Sequence, residues 1–143
     1  MLFCTKITAP KGGYERRIIM KLDFDCVREV LLVLEEISVM QDNHMFKPLT
    51  VNDFMVKISD YSENEVLYTL QKLLEADYIN AVYNYDTDLP FDKTRFFIQD
   101  LTYSGHEYLN TIRDNTVWKQ IKEKTPTLTF EIIKKAALAL LPF

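Results

Sequence analysis

Apolar residues recur three and four apart at Leu22, Cys26, Val30, Leu34 and Ile37, with Val27, Leu31 and Val33 widening the stripe. That period predicts a helix over residues 22–40 with one buried face. Asp23 or Asp25 can cap its start, where the dipole favours acids. After the loop QDNHMFKP, Thr50 and Asp53 predict a capped short helix over VNDFMVKI. Ser62 with Glu65 forms a stronger capping box before ENEVLYTLQKLLEA, whose core face is Val66, Leu67, Leu70, Leu73 and Leu74. The pattern then changes character. YINAVYNY and RFFIQDLT, rich in β-branched and aromatic residues, flank the polar break DTDLPFDKT and predict a hairpin with a wide tip. Thr102 caps a helix to about Arg113, and Asp114 or Asn115 restarts one through Trp118 to about Lys124. Beyond Thr125-Pro126, Thr127 or Thr129 opens FEIIKKAALALL, which Pro142 stops.

The expected fold class is therefore mainly α with a small β-hairpin (α+β). Two short helices joined by a tight turn, then a hairpin, are the order of a winged helix-turn-helix with additional C-terminal helices. The expected division is an extension over 1–19, a winged-helix-like domain over 20–124, and an apolar helix over 125–143 packing on the domain or a second protomer.

Composition narrows the class. A chain of 143 residues fits one domain, and 48% apolar residues suffice for a core. The formal net charge of -4 argues against a surface built wholly for phosphate. Cys4 and Cys26 have no metal-ligand spacing and read as free thiols of a cytoplasmic protein. No apolar run is long enough to span a bilayer. The N-terminal segment carries Lys6, Lys11, Arg16 and Arg17 against Glu15, so without it the net charge of -4 becomes -7. Glu15-Arg16-Arg17 can be encoded as a bacterial ribosome-binding sequence, with Met20 a short spacer downstream. Two expectations stand: translation starting naturally at Met20, or a flexible basic tail. The intact mass of the native protein decides between them.

MKLDFDCVREVLLVLEE, YSENEVLYTLQKLLEADYI and LTYSGHEYLNTIRDNTVWKQIKEK resemble an uncharacterised bacterial family of small proteins, a domain of unknown function common in prophages and other mobile elements. The likeness runs from Met20 to the C-terminus, and LT-x-x-GH-x-[FY]-L followed by RD-x-x-VW is its most specific part. It implies a winged-helix-like fold and a mobile-element context, and it brings no established activity. The family often has His where this chain has Thr69, and Gly where it has Asp77. Asp tolerates the left-handed cap conformation implied there, at some cost.

In LTYSGHEYL, Ser104 and His106 stand two apart, so on a helix they diverge and cannot act as nucleophile and base. The spacing is not a nucleophile elbow, and His44 is the other histidine, so no His-based metal site is expected. The structural expectation is a Thr102 cap, a close backbone approach at Gly105, and a His106 that packs or bonds locally. Trp118, with Val117 and Ile121, is expected to anchor the core. No enzyme is expected, and no cofactor, metal or small-molecule substrate.

The expected function is binding, with DNA the leading partner. Asn64, Tyr68, Gln71 and Lys72 fall on the outer face of the third helix, and Lys93 and Arg95 in the hairpin could reach phosphate or the minor groove. Glu63, Glu65, Glu75, Asp77, Asp86, Asp88 and Asp92 oppose that electrostatically. The alternative is a protein–protein interaction module, homodimeric or binding a host or phage partner, with Tyr68, Ile133, Ala137, Leu140 and Leu141 as interface residues.

Overall fold

Asp23 opens the first long helix: its Oδ1 accepts from the amides of Asp25 and Cys26 at 2.8 and 3.2 Å. The computed structural model describes residues 6–7, 17–18, 21–84 and 90–140. In chain order these form β1 (Lys6–Ile7), β2 (Arg17–Ile18), α1 (Phe24–Ile37), α2 (Val51–Met55), α3 (Glu63–Glu75), β3 (Ile79–Tyr83), β4 (Phe96–Leu101), α4 (Tyr103–Ile112), α5 (Asn115–Lys124) and α6 (Phe130–Leu140). β1 pairs antiparallel with β2, and β3 with β4. The described residues are thus mainly helical, with two small two-stranded antiparallel sheets.

Both capping expectations for the early helices hold. Asp53 Oδ2 accepts from the Thr50 amide at 2.9 Å. Glu65 accepts from the Ser62 amide at 2.9 Å while Ser62 Oγ accepts from the Glu65 amide at 3.2 Å. α3 ends in a Schellman motif, with Tyr78 N–H donating to Leu73 O and Asp77 N–H to Leu74 O. Asp77 sits there at φ 63, in the left-handed conformation its position requires.

Three details differ from the sequence pattern, each through a non-local partner. α1 stops at Ile37 rather than continuing to Met40, because Val39 O accepts from the Lys47 amide and Met40 bridges Phe46. Leu49 and Ile98 exchange two backbone hydrogen bonds, of 2.8 and 2.7 Å, so a third extended segment lies beside β4. The hairpin itself carries a bulge, Asn80 facing Asp100 and Ala81 facing Ile98, with Gln99 as the extra residue.

α1 is the wall both halves share. On it pack α3 and β4, and also α4. Its Cys26, Val27, Val30, Leu31 and Leu34 are completely buried. The C-terminal helices close the other side, with Tyr108, Leu109, Ile112, Ile121, Ile133 and Ala137 buried in the same core.

Candidate functional site

Because Val66, Leu70 and Leu73 point inward, α3 turns a polar face outward. Asn64 is exposed, and Tyr68, Gln71 and Lys72 are half-buried. α3 packs chiefly on α1, α2 and β3, so the C-terminal helices are stacked elsewhere. Every cation expected to meet phosphate is already paired. Lys72 Nζ lies 3.0 Å from Glu75 Oε2, which raises its pKa, and 5.3 Å from the Tyr68 ring centre. Lys93 Nζ bonds both oxygens of Glu63, at 2.6 and 2.8 Å. Arg95 Nε is 3.8 Å from Asp92 Oδ2. The Asp92 carboxyl is held below its usual range, first by the Thr94 hydroxyl and then by the Thr94 amide. The face is outward as expected, but its acids outnumber its cations: Glu63, Glu65, Glu75, Asp77 and Asp92 stand against Lys72, Lys93 and Arg95. Asp86 and Asp88 lie outside the described residues.

The expected α6 interface needs correction. Ile133 and Ala137, one helical turn apart, are completely buried against this chain's own α4 and α5, and cannot anchor a partner. Leu140 is half-buried against the core, and Leu141 lies outside the described residues. Among the described residues of α6, Ile132 and Leu138 show the largest exposed apolar area.

The motif with the strongest chemical look turns out to be a joint. Thr102 Oγ1 accepts from the Gly105 amide at 3.0 Å and donates to Asp77 O at 2.7 Å, tying the start of α4 to the end of α3. Gly105 is where Tyr78 passes: a Cβ there would lie 2.1 Å from the Tyr78 carbonyl oxygen. Ser104 and His106 are both exposed, so of the two roles expected for His106, packing or local bonding, packing is excluded. Tyr108 is completely buried, stacked on Tyr78 with ring centres 5.0 Å apart. Its hydroxyl has no hydrogen-bond partner among the described residues, and burial pushes its pKa upward.

The RD-x-x-VW pair completes this joint. Arg113 forms a two-point pair with Glu35, at 2.6 and 2.7 Å, whose hydrogen bonds hold the Glu35 carboxyl below its usual range. Asp114 Oδ1 caps α5 through the amides of Thr116 and Val117. Trp118, 4% exposed, donates its Nε1–H to Asp25 Oδ1 at 2.8 Å, and Lys122 joins that oxygen at 2.9 Å. A cleft of about 530 Å³ opens here between Asp23, Phe24, Asp25, Lys122 and Leu128. The two aspartates in its wall already serve as the α1 cap and the α5 anchor.

Two residues were missed in the sequence. Arg28 Nε donates to Ile112 O at 2.8 Å, and its Nη2 donates to Arg113 O and Asn115 Oδ1 at 2.6 Å each, satisfying carbonyls at the end of α4. Its signal was a lone cation inside an otherwise apolar and acidic helix. Thr69 is 2% exposed, and its hydroxyl donates to Glu65 O at 2.8 Å. That leaves its oxygen to accept from the Cys26 thiol 3.3 Å away. Burial pushes the Cys26 thiol up to about 12. Alkylation by iodoacetamide near pH 8 is accordingly expected to modify Cys26 only as the protein unfolds, because the thiolate is the reactive form. Peptide mass mapping against denaturant measures it, and fast labelling of the native protein would contradict the burial.

Among the described residues no three His, Cys, Asp or Glu side chains lie together as metal ligands, and no helix is long and apolar enough to cross a membrane.

Such a site, capping groups and buried aromatics joining three C-terminal helices to a helical core with a small hairpin, defines an α+β protein whose signature residues are architectural. The chain belongs to the family described as "Hypothetical protein (DUF2513)", whose family model matches residues 21–131. It is similar to an uncharacterized protein of Haemophilus influenzae (strain ATCC 51907 / DSM 11121 / KW20 / Rd), 29% identical over 122 residues, covering 82% of this chain and 92% of that one. No solved structure matches.

Proposed function

We propose that this is a winged-helix protein of mobile-element type that works in the bacterial cytoplasm by binding rather than catalysis, with DNA met by α3 and the β3–β4 hairpin. The observation that carries this reading is the order of elements with an open α3. A helix, an extended segment at Leu49, two further helices and a hairpin follow one another, and Leu49 lies beside β4. Asn64, Gln71 and Lys72 on α3 are the groups suited to base edges, and Lys93 and Arg95 those suited to phosphate. Because each cation has an acidic partner, non-specific affinity is low and the salt dependence shallow.

Fluorescence anisotropy of a labelled mixed-sequence duplex, titrated with the whole chain and with the chain from Met20, tests this. Binding by both that weakens with salt, and falls several-fold for Lys72→Ala or Arg95→Ala, is expected. No binding at low salt by either would sink the DNA reading.

A second reading, a protein-interaction module, has its own observation. Val39, Met40 and Met45, 51%, 55% and 64% exposed, cluster on the backbone-paired loop between α1 and α2. Exposed apolar side chains of this kind suit a protein partner or a second copy. Light scattering behind a sizing column reads the second-copy form directly.

A further inference from the structure

Of the three ion pairs on the candidate DNA face, two are local: Lys72–Glu75 within α3, and Arg95–Asp92 within the turn preceding β4. The third, Lys93–Glu63, joins two elements 30 residues apart, the base of the hairpin tip and the first turn of α3. Glu63 presents both carboxylate oxygens to one ammonium. A phosphate would present its oxygens to that cation in the same way, and the same first turn favours either anion.

We propose that Glu63 is a built-in competitor for DNA phosphate, an autoinhibitory contact that occupies Lys93 and sets how tightly the protein holds DNA; this rests on the DNA-binding reading above. The pair is only partly shielded, with Lys93 43% and Glu63 35% exposed. A pair so exposed is weak enough for a correctly placed phosphate to displace. Displacement leaves the carboxylate beside the phosphate, so every complex carries a like-charge penalty. Sites that add base contacts to Asn64 and Gln71 overcome it, and generic duplex does not. Glu63 thus exchanges affinity for discrimination.

A merely structural Glu63 would fasten the hairpin to α3, and its loss would loosen the hairpin and weaken binding. The sign of the effect separates the two roles. The experiment is anisotropy with mixed-sequence duplex across a salt series, using the whole chain as wild type, E63Q, K93Q and the double variant, each checked for an unchanged melting curve. E63Q is expected to bind about fivefold tighter, the scale of a surface ion pair. Its log–log salt slope should steepen by about 0.9, one more phosphate neutralised. The gain should vanish in the K93Q background.

Equal or weaker binding by E63Q, with wild type binding measurably, overturns the competitor role and leaves DNA binding standing. A gain that persists in K93Q assigns the effect to bulk charge and overturns the role equally. Silence from both wild type and E63Q at low salt overturns the competitor and the DNA reading together.

Discussion

Gly105→Ala is expected to destabilise the protein by roughly 3 kcal/mol or more, lowering its melting temperature by about 10 °C. Replacing a glycine within a helix by alanine normally favours the helix, by up to about 1 kcal/mol. Here the added methyl would lie 2.1 Å from the Tyr78 carbonyl oxygen, and backbone cannot swing aside as a side chain can. That carbonyl also accepts from the Thr102 amide at 3.1 Å, so displacing it loosens the α4 start as well. The steric cost therefore outweighs the propensity gain. Urea and thermal melts followed by the fluorescence of Trp118, the chain's single tryptophan, measure the loss. Ser104→Ala, one residue away and exposed, should stay within about 0.5 kcal/mol of wild type. A Gly105→Ala protein as stable as wild type would mean that α4 and the Tyr78 backbone do not meet this closely.

Trp118→Ala is expected to cost about 3–5 kcal/mol, the range for emptying a large aromatic site. It removes an almost fully buried indole and takes from Asp25 Oδ1 its indole donor, leaving it Lys122 as a side-chain partner among the described residues. Trp118→Phe keeps most of the packing and loses the indole hydrogen bond, so roughly 1–2 kcal/mol is expected. Circular dichroism melts give the stabilities, since the fluorophore is gone. Hydrogen exchange should speed first in α5 and α6, which lean on this anchor. Equal costs for the two substitutions would show that the Asp25 bond, not the apolar area, fastens α5.

How much of this was legible in the sequence depends on the range of the interaction involved. Asp23, the Ser62–Glu65 box, Thr102, Asp114 and Thr129 all act on amides two or three residues away, and a short window of sequence contains the whole device. The Gly105 approach was anticipated as well, because a glycine early in a helix has few other uses. The burial of Thr69 was not legible, since its hydroxyl meets Cys26, 43 residues earlier. The apolar stripe of α6 demanded burial without naming a surface, and the surface proved to be this chain's own α4 and α5. On the candidate site, the outward placement of Asn64 and Lys72 followed from helix geometry. The partner of Lys93 did not, because Glu63 reaches it from the start of α3, 30 residues earlier.

The bonds from α1 to the far end of the chain also have a consequence for the protein's birth. Asp25 waits for Trp118, 93 residues later, and Arg28 for the end of α4, 84 residues later. At bacterial synthesis rates that interval lasts about 5–20 s. Throughout it, one apolar flank of the first helix has left the ribosome with nothing to close it. A nascent chain stalled before α5 would therefore be the form most attractive to chaperones and proteases. Completion of the last helices is then the event that turns a vulnerable polypeptide into a durable one.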